Sequence, residues 1–170
     1  RVWFFMPTLE QAMVGVKRQT QIIYPKDTGA MLVFSGLDDA DRVIESGTGS
    51  GSFLLALLSY ARRGRVVTIE GRPEFQEIAK KNVAARFGEI PRRVRFVLGD
   101  AYDETLRLGV KKGWADRIFL DLPEPWQALH LTKYLRSGGI LTVYSPQITQ
   151  IQRTAVALEP LPFADTEVYE

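Results

Sequence analysis

Residues 41–52 read DRVIESGTGSGS, and residues 53–58 continue as the apolar run FLLALL. A short β-branched run therefore leads into three glycines at alternate positions, and a helix-like sequence follows them. Glycine permits positive φ and lets a ligand approach the bare backbone, while a following helix directs free N–H groups toward the turn. This order of strand, glycine turn and helix predicts a ligand-binding corner at the edge of an open parallel sheet.

The spacing of the glycines differs from the dinucleotide-binding pattern G-x-G-x-x-G. Gly47, Gly49 and Gly51 are each two residues apart, and Glu45 precedes them at the end of the strand. A carboxylate there would repel a pyrophosphate but would suit a ligand with an ammonium group. The pattern resembles motif I of the class I S-adenosylmethionine (SAM) methyltransferases, which implies that the glycines and Ser50 pass beneath the methionine part of SAM. A tight strand-to-helix connection without a ligand is the alternative.

Composition limits the classes of function. The chain has 170 residues, no cysteine, one histidine and a net charge of +2. Cysteine nucleophiles, disulfides and thiolate zinc sites are therefore excluded, and we expect no metal site, because a histidine-based one is improbable. No apolar run approaches the roughly 20 residues of a membrane span, so a cytoplasmic location is the default expectation. Because the chain starts at Arg1 rather than at a methionine, we expect it to be a fragment.

Strand and helix patterns alternate along the chain. The predicted strands are residues 42–45, 65–69, 94–98, 116–120 and 140–144, with a sixth at 163–170. The predicted helices are residues 25–37, 50–62, 73–87 and 148–158, a weak one at 104–109 and a short one ending near 135. This alternation predicts an α/β fold with a doubly wound, mainly parallel sheet.

Carboxylates follow four consecutive predicted strands, at Glu45, Glu70, Asp100 and Asp121. Ligands of open α/β sheets bind beyond the carboxyl ends of the strands, so we expect these side chains to meet. For bound SAM, Glu70 is placed to accept from both ribose hydroxyls, and Asp100 from the adenine amino group, with the backbone of Ala101 nearby. Glu45 would lie near the sulfonium or the α-ammonium. Each carboxylate could instead be a helix cap or a surface charge.

The loop at residues 121–126 reads DLPEPW. Two prolines restrict its backbone, so the carboxylate of Asp121 would be held with little freedom. The loop resembles the corresponding motif of the tRNA adenine-N1 methyltransferases, which make 1-methyladenosine at position 58 in the T loop. Residues 17–27, KRQTQIIYPKD, resemble the segment before the SAM domain in that family, and residues 45–52 resemble its motif I.

The resemblance implies a Rossmann-like SAM-dependent methyltransferase that acts on N1 of an adenine in tRNA, at position 58 and in some relatives at a neighbouring adenine too. It implies that Asp121 is the catalytic carboxylate and also contacts SAM, that Tyr24 lines the target-base pocket, and that Ile23 packs near the cofactor. Its implied partners are tRNA and either further copies, as a homotetramer, or a paralogous subunit. No membrane partner is implied.

Residues 1–24 are expected to be a lead-in segment, and residues 25–170 a single catalytic domain. Members of the family carry a small N-terminal β domain before the equivalent of Arg1. The sheet of a class I methyltransferase closes with an antiparallel seventh strand, for which no sequence remains here. We therefore expect a sheet that is truncated before its last strand, or a partner that supplies that edge.

Two other functions stay open on the sequence. A methyltransferase of the isoaspartate type, acting on a protein or a small molecule, shares the fold, but the DLPEPW loop is not expected there. A non-catalytic paralogue that holds tRNA would have lost the SAM motif, whereas the glycines and all four acids are intact here. Four arginines are candidates for phosphate contacts: Arg62, Arg63, Arg92 and Arg93.

Overall fold

A computed structural model describes residues 1–170. The strands are β1 (Arg42–Ser46), β2 (Arg65–Glu70), β3 (Val94–Leu98), β4 (Ala115–Asp121) and β5 (Leu135–Tyr144). The helices are α1 (Leu9–Val14), α2 (Pro25–Phe34), α3 (Ser52–Tyr60), α4 (Pro73–Phe87) and α5 (Ile148–Leu158), together with a 3-10 helix at Pro125–Tyr134. All strand pairs are parallel and the strand order is β3-β2-β1-β4-β5. The predicted α/β fold is therefore confirmed.

The core lies on both faces of the sheet. Side chains alternate along a strand, so the neighbours Val43 and Ile44 of β1 point into different apolar clusters. One cluster contains the apolar run at residues 53–58, all of which is buried in α3. Because both faces are covered, the apolar residues of β1 and β4 are adjacent in sequence, at residues 43–44 and 118–120, rather than alternating with polar ones. Burial on both faces fixes the positions of the strand ends, where the candidate site lies.

Local signals set the bounds of several helices. Pro25 and Pro73 occupy the first turns of α2 and α4, where the missing N–H costs nothing. Gly88 ends α4 with φ of 82°. None of the helices is both long and apolar enough to cross a membrane.

Some predicted elements are wrong or differ in extent. Residues 104–109 form a turn followed by irregular backbone rather than a weak helix, and residues 163–170 form no strand. The 3-10 helix replaces the short α-helix predicted before β5. β5 begins at Leu135, earlier than predicted, because Leu135 pairs with Ala115 before an irregularity in register. The sequence patterns did not predict α1, a helix of six residues.

Candidate active site

A cleft of about 350 Å³ opens at the carboxyl edge of the sheet. The ends of parallel strands meet at this edge, so segments that are distant in sequence lie together here. The lining includes residues 20–23, 46–50, 69–72, 100–102 and 121–123. The glycine turn, the ends of β2 and β4, and the segment before α2 therefore surround one space.

The glycine turn lies directly against the end of β4. Gly47 has φ of 97°, and a Cβ at that position would collide with the backbone carbonyl of Asp121. Gly49 has φ of 53°, and Gly51, with φ of 81°, packs on Ala79 of α4 behind the cleft. The turn thus needs glycine both for its left-handed backbone and for close approach. Of the three glycines, only Gly47 and Gly49 line the cleft.

Glu70 closes β2 and orders the turn. Its side chain is 5% exposed, and one carboxylate oxygen accepts a hydrogen bond from the Gly49 N–H at 2.8 Å. The other oxygen accepts from the Arg72 N–H at 3.0 Å. Each oxygen has two lone pairs, so Glu70 can still accept hydrogen bonds from ligand hydroxyls in the cleft.

Glu45 lies beneath the turn and is not among the residues that line the cleft. It is fully enclosed, and its Oε2 accepts a hydrogen bond from Thr68 Oγ1 at 2.6 Å, while Thr68 Oγ1 lies 2.5 Å from Thr48 Oγ1. Burial, aided by the charges of Asp121 and Glu70, raises the pKa of Glu45 to about 8. Glu45 is therefore uncharged at neutral pH, and its side chain supports the turn from below.

Asp121 ends β4 at the cleft. Its carboxylate has no hydrogen bond or ion pair within the protein, and burial raises its pKa to about 6. A carboxyl group with this pKa is mostly ionised at neutral pH and is free to accept a hydrogen bond from a ligand. Tyr144, its register partner on β5, was not anticipated as a neighbour. Burial and the charges of Asp27 and Asp121 raise the pKa of the Tyr144 hydroxyl.

The other predicted site residues divide into two groups. Asp100, Ala101 and Ile23 line the cleft, and Asp100 Oδ1 accepts a hydrogen bond from the Tyr102 N–H at 2.9 Å. Tyr24 precedes α2, is 48% exposed and lies outside the lining. Tyr24 is thus not a core aromatic, and its contact with a target base stays a prediction.

Three hydroxyls of the lining lack a hydrogen-bond partner, and the sequence patterns predicted only one of them, that of Ser50. The Oγ atoms of Ser46 and Ser50 and the Oγ1 of Thr20 are buried and have no hydrogen-bond partner. Buried polar atoms are nearly always paired, so orphaned ones in a cleft indicate a polar ligand. Together with Glu70, Asp100 and the bare glycine backbone, they fit a ligand that combines a nucleoside with an amino acid.

The candidate phosphate contacts lie at the opposite edge of the sheet, before β2 and β3. Arg63 pairs with Asp39, while the guanidinium groups of Arg62 and Arg93 donate to backbone carbonyls. Arg92 is exposed and pairs with no acidic residue. Their contact with phosphates stays a prediction.

Comparisons with known proteins agree on one family. The family model described as tRNA methyltransferase complex GCD14 subunit matches residues 1–170. The chain is 37% identical over 166 residues to the tRNA (adenine(58)-N(1))-methyltransferase TrmI of Thermus thermophilus, covering 96% of this chain and 63% of that protein. The chain thus spans slightly less than two thirds of the length of that relative.

Two solved methyltransferase structures are similar to the chain in fold. A SAM-dependent O-methyltransferase from Thermotoga maritima has a TM-score of 0.85 and 33% identity, covering 96% of this chain and 60% of that chain. The tRNA (m1A58) methyltransferase TrmI from Aquifex aeolicus has a TM-score of 0.81 and 33% identity, covering 92% of this chain and 61% of that chain. On its sequence, its fold and its cleft, this chain belongs to the family of the tRNA methyltransferase complex GCD14 subunit.

Proposed function

We propose that this protein transfers a methyl group from SAM to N1 of an adenine in the T loop of tRNA, at position 58 and, as a variant, at a neighbouring adenine. The observation that carries the proposal is the unpaired carboxylate of Asp121, which faces a cleft bounded by the glycine turn. The family match and the named activity of the TrmI relatives support it.

The residues of the cleft fit SAM. Glu70 would accept hydrogen bonds from the ribose hydroxyls, Asp100 and the backbone of Ala101 would hold the adenine, and Ile23 would pack against the ligand. The glycine turn and its orphaned hydroxyls would take the amino-acid end. When bound, SAM supplies an electrophilic methyl group on a positively charged sulfur. The fit requires no metal ion.

Asp121 would act on the substrate adenine through its amino group. Adenine N1 already has a lone pair, so the protein needs no strong base to create a nucleophile. Methylation makes the ring cationic and acidifies the exocyclic N6 amino group. The ionised carboxylate of Asp121, accepting a hydrogen bond from N6, would stabilise the charge that develops in the transition state. Pro123 and Pro125 restrict the loop and keep this acceptor in place.

The target adenine must leave the folded T loop to reach Asp121, which costs unstacking energy. Tyr24 is 48% exposed, so its ring is available to stack on an extruded base, whereas Trp126 lies outside the cleft lining and has the Arg153 guanidinium 5.1 Å from its ring centroid. We assign Tyr24 to the target-base pocket on this ground. Residues 25–170 would form the catalytic domain, and the lead-in segment, residues 1–24, would contribute one wall of the cleft through residues 20–23.

tRNA is the proposed partner, and the site of action is the cytoplasm. The family description refers to a complex and to a subunit. We therefore propose that the chain works in an assembly, either a homo-oligomer such as a tetramer or a complex with a paralogous subunit.

The test is incubation of the protein with labelled SAM and unmodified tRNA, followed by mapping of the labelled nucleoside. The proposal predicts 1-methyladenosine at position 58, and no label in a transcript that carries guanosine both there and at the neighbouring adenine. Label at other atoms, or transfer only to proteins or small molecules, would overturn it. The second result would favour the O-methyltransferase activity named for the Thermotoga structure.

A further inference from the structure

The segment that forms one wall of the cleft is attached to the protein by few contacts. Residues 16–23, which we call the strap, connect α1 to α2 and pass over the glycine turn. No residue of the strap makes a backbone–backbone hydrogen bond. Ile22 and Ile23 are buried, but the preceding strap residues are bends or irregular backbone. The strap therefore depends on side chains of other elements for its position.

One such side chain is that of Asn82, on α4. Asn82 Oδ1 accepts a hydrogen bond from the Lys17 N–H at 3.2 Å, and Asn82 Nδ2 donates to the Lys17 carbonyl at 2.8 Å. The same Nδ2 donates to the Ser50 carbonyl, in the glycine turn, at 2.8 Å. A single buried amide thus joins the strap, the glycine turn and α4. The two hydrogen bonds between Asn82 and Lys17 are the only ones that hold the strap.

We propose that Asn82 is a positioning residue that fixes the strap against the glycine turn and thereby sets the affinity of the cleft for SAM. The inference rests on the proposed function for the identity of the ligand. Thr20, three residues after Lys17, has its orphaned Oγ1 3.2 Å from the point that a Cβ on Gly49 would occupy. When Asn82 holds the strap, this hydroxyl is fixed beside the turn before the ligand arrives, so binding needs less ordering.

The stability of α4 does not explain why position 82 is an asparagine. Asparagine is a poorer helix former than alanine, and the Asn82 side chain makes no hydrogen bond within its own helix. Replacing Asn82 should therefore leave α4 intact and affect the strap and the turn. Gln76 offers a matched control, because it lies on the same helix, is equally buried and has an Nε2 without a partner.

The test compares Asn82→Ala with Gln76→Ala by calorimetric titration of SAM and S-adenosylhomocysteine. Asn82→Ala should raise the Kd of both ligands by about tenfold, since hydrogen bonds of ordinary strength are lost at three places. Gln76→Ala should change the Kd by less than about twofold. The Lys17 amide should exchange its hydrogen faster in Asn82→Ala than in the unmodified protein, with or without ligand.

A second variant keeps the test decisive if Asn82→Ala folds poorly. Asn82→Asp keeps an acceptor for the Lys17 N–H but sets a carboxylate against the Lys17 and Ser50 carbonyls. It should therefore weaken SAM binding at least as much as Asn82→Ala does. If the unmodified protein binds SAM and both Asn82 variants bind it equally well, the role of Asn82 is refuted and the proposed function stands. An equal loss of affinity for SAM in Gln76→Ala would also refute the role of Asn82. If the unmodified protein binds no SAM, both proposals fail.

Discussion

Asp121 and Glu45 are both carboxylic acids at the carboxyl edge of neighbouring strands, but their surroundings differ. Glu45 is enclosed and bonded to Thr68, and its pKa of about 8 keeps it uncharged at neutral pH. Asp121 faces the cleft without a partner, and its pKa of about 6 leaves it mostly ionised. Of these two acids, therefore, only Asp121 can offer a charged acceptor to a substrate.

The first prediction concerns Asp121 in the proposed reaction. Asp121→Ala and Asp121→Asn should lower kcat by about 100-fold or more, because a charged acceptor for the transition state is lost. In the unmodified protein, kcat should rise as the pH increases through about 6, where Asp121 loses its proton. Single-turnover rates at several pH values measure both effects. A normal rate in Asp121→Ala would refute the assigned role.

The second prediction concerns Glu45 and stability. The folded protein keeps the Glu45 proton up to about pH 8, whereas the unfolded chain loses it near 4.5, so the folded state binds more protons between these values. The free energy of unfolding should therefore fall as the pH rises from 4.5 to 8. Glu45→Gln has no such proton, so its stability should fall less steeply. Urea unfolding at pH 4.5 and pH 8 measures the free energy of unfolding of both proteins. An equal change with pH in Glu45→Gln and in the unmodified protein would contradict the prediction.

Among the elements of the fold, the glycine turn and the end of β4 meet backbone to backbone. Gly47→Ala should lower the free energy of unfolding by about 2 kcal/mol or more, because it combines positive φ with a collision at the Asp121 carbonyl. It should also weaken SAM binding. Chemical unfolding and calorimetry measure these two losses.

Gly29→Ala is the matched control for that substitution. Gly29 lies inside α2, and a Cβ there would meet nothing within 4 Å. This variant should raise stability by about 0.5–1 kcal/mol, as alanine does in a helix interior. Stabilisation by Gly47→Ala, or equal effects of the two variants, would show that the turn is not tightly constrained.

The elements that could be predicted are those with strong local signals. Residues 41–58 combine a buried strand, a glycine turn and an apolar helix, and each signal is consistent with the others. α1 is short and depends on a capping box between Thr8 and Gln11, which gives too little periodicity to detect. Residues 104–109 contain apolar residues that bury against the core without forming a helix, so periodicity was misleading there.

The site could be predicted in outline but not in orientation. The predicted strand ends were enough to bring Glu70, Asp100 and Asp121 to one cleft, because the carboxyl ends of parallel strands share one edge of the sheet. The direction of Glu45 depends on pairing: Thr68 is its register partner on β2, which lets the carboxylate bond beneath the turn. Neither this pairing nor the strap held by Asn82 could be read from the sequence, since both arise from contacts between distant segments.

At the scale of the whole molecule, the two edges of the sheet use acidic residues differently. Those at the carboxyl edge surround the cleft. At the amino edge Asp116 pairs with Arg42 at 2.9 Å and with Arg136 at 2.5 Å. The hydrogen bonds from Arg42, aided by those from Arg136, hold the pKa of Asp116 well below its usual range. Asp116 therefore ties β1, β4 and β5 together far from the cleft.

Asp116→Asn tests whether the acidic residues at the two edges of the sheet have separate roles. The change leaves two guanidinium groups without their charged partner, so it should lower the free energy of unfolding by about 1–3 kcal/mol. Because the cleft lies at the other edge, the Kd for SAM should stay within about twofold of the unmodified value. Urea unfolding measures the free energy of unfolding, and calorimetry measures the Kd for SAM. A large loss of SAM affinity without loss of stability would contradict the separation of the two edges.

We propose that SAM binds across the ends of β1 and β2 while Asp121 stays free for the substrate. Calorimetric titration of the folded protein with SAM tests it most directly. We predict one site per chain, a Kd that rises at least about tenfold in Glu70→Ala and less than about threefold in Asp121→Ala. Absence of binding, or binding that Glu70→Ala leaves unchanged, would contradict the claim.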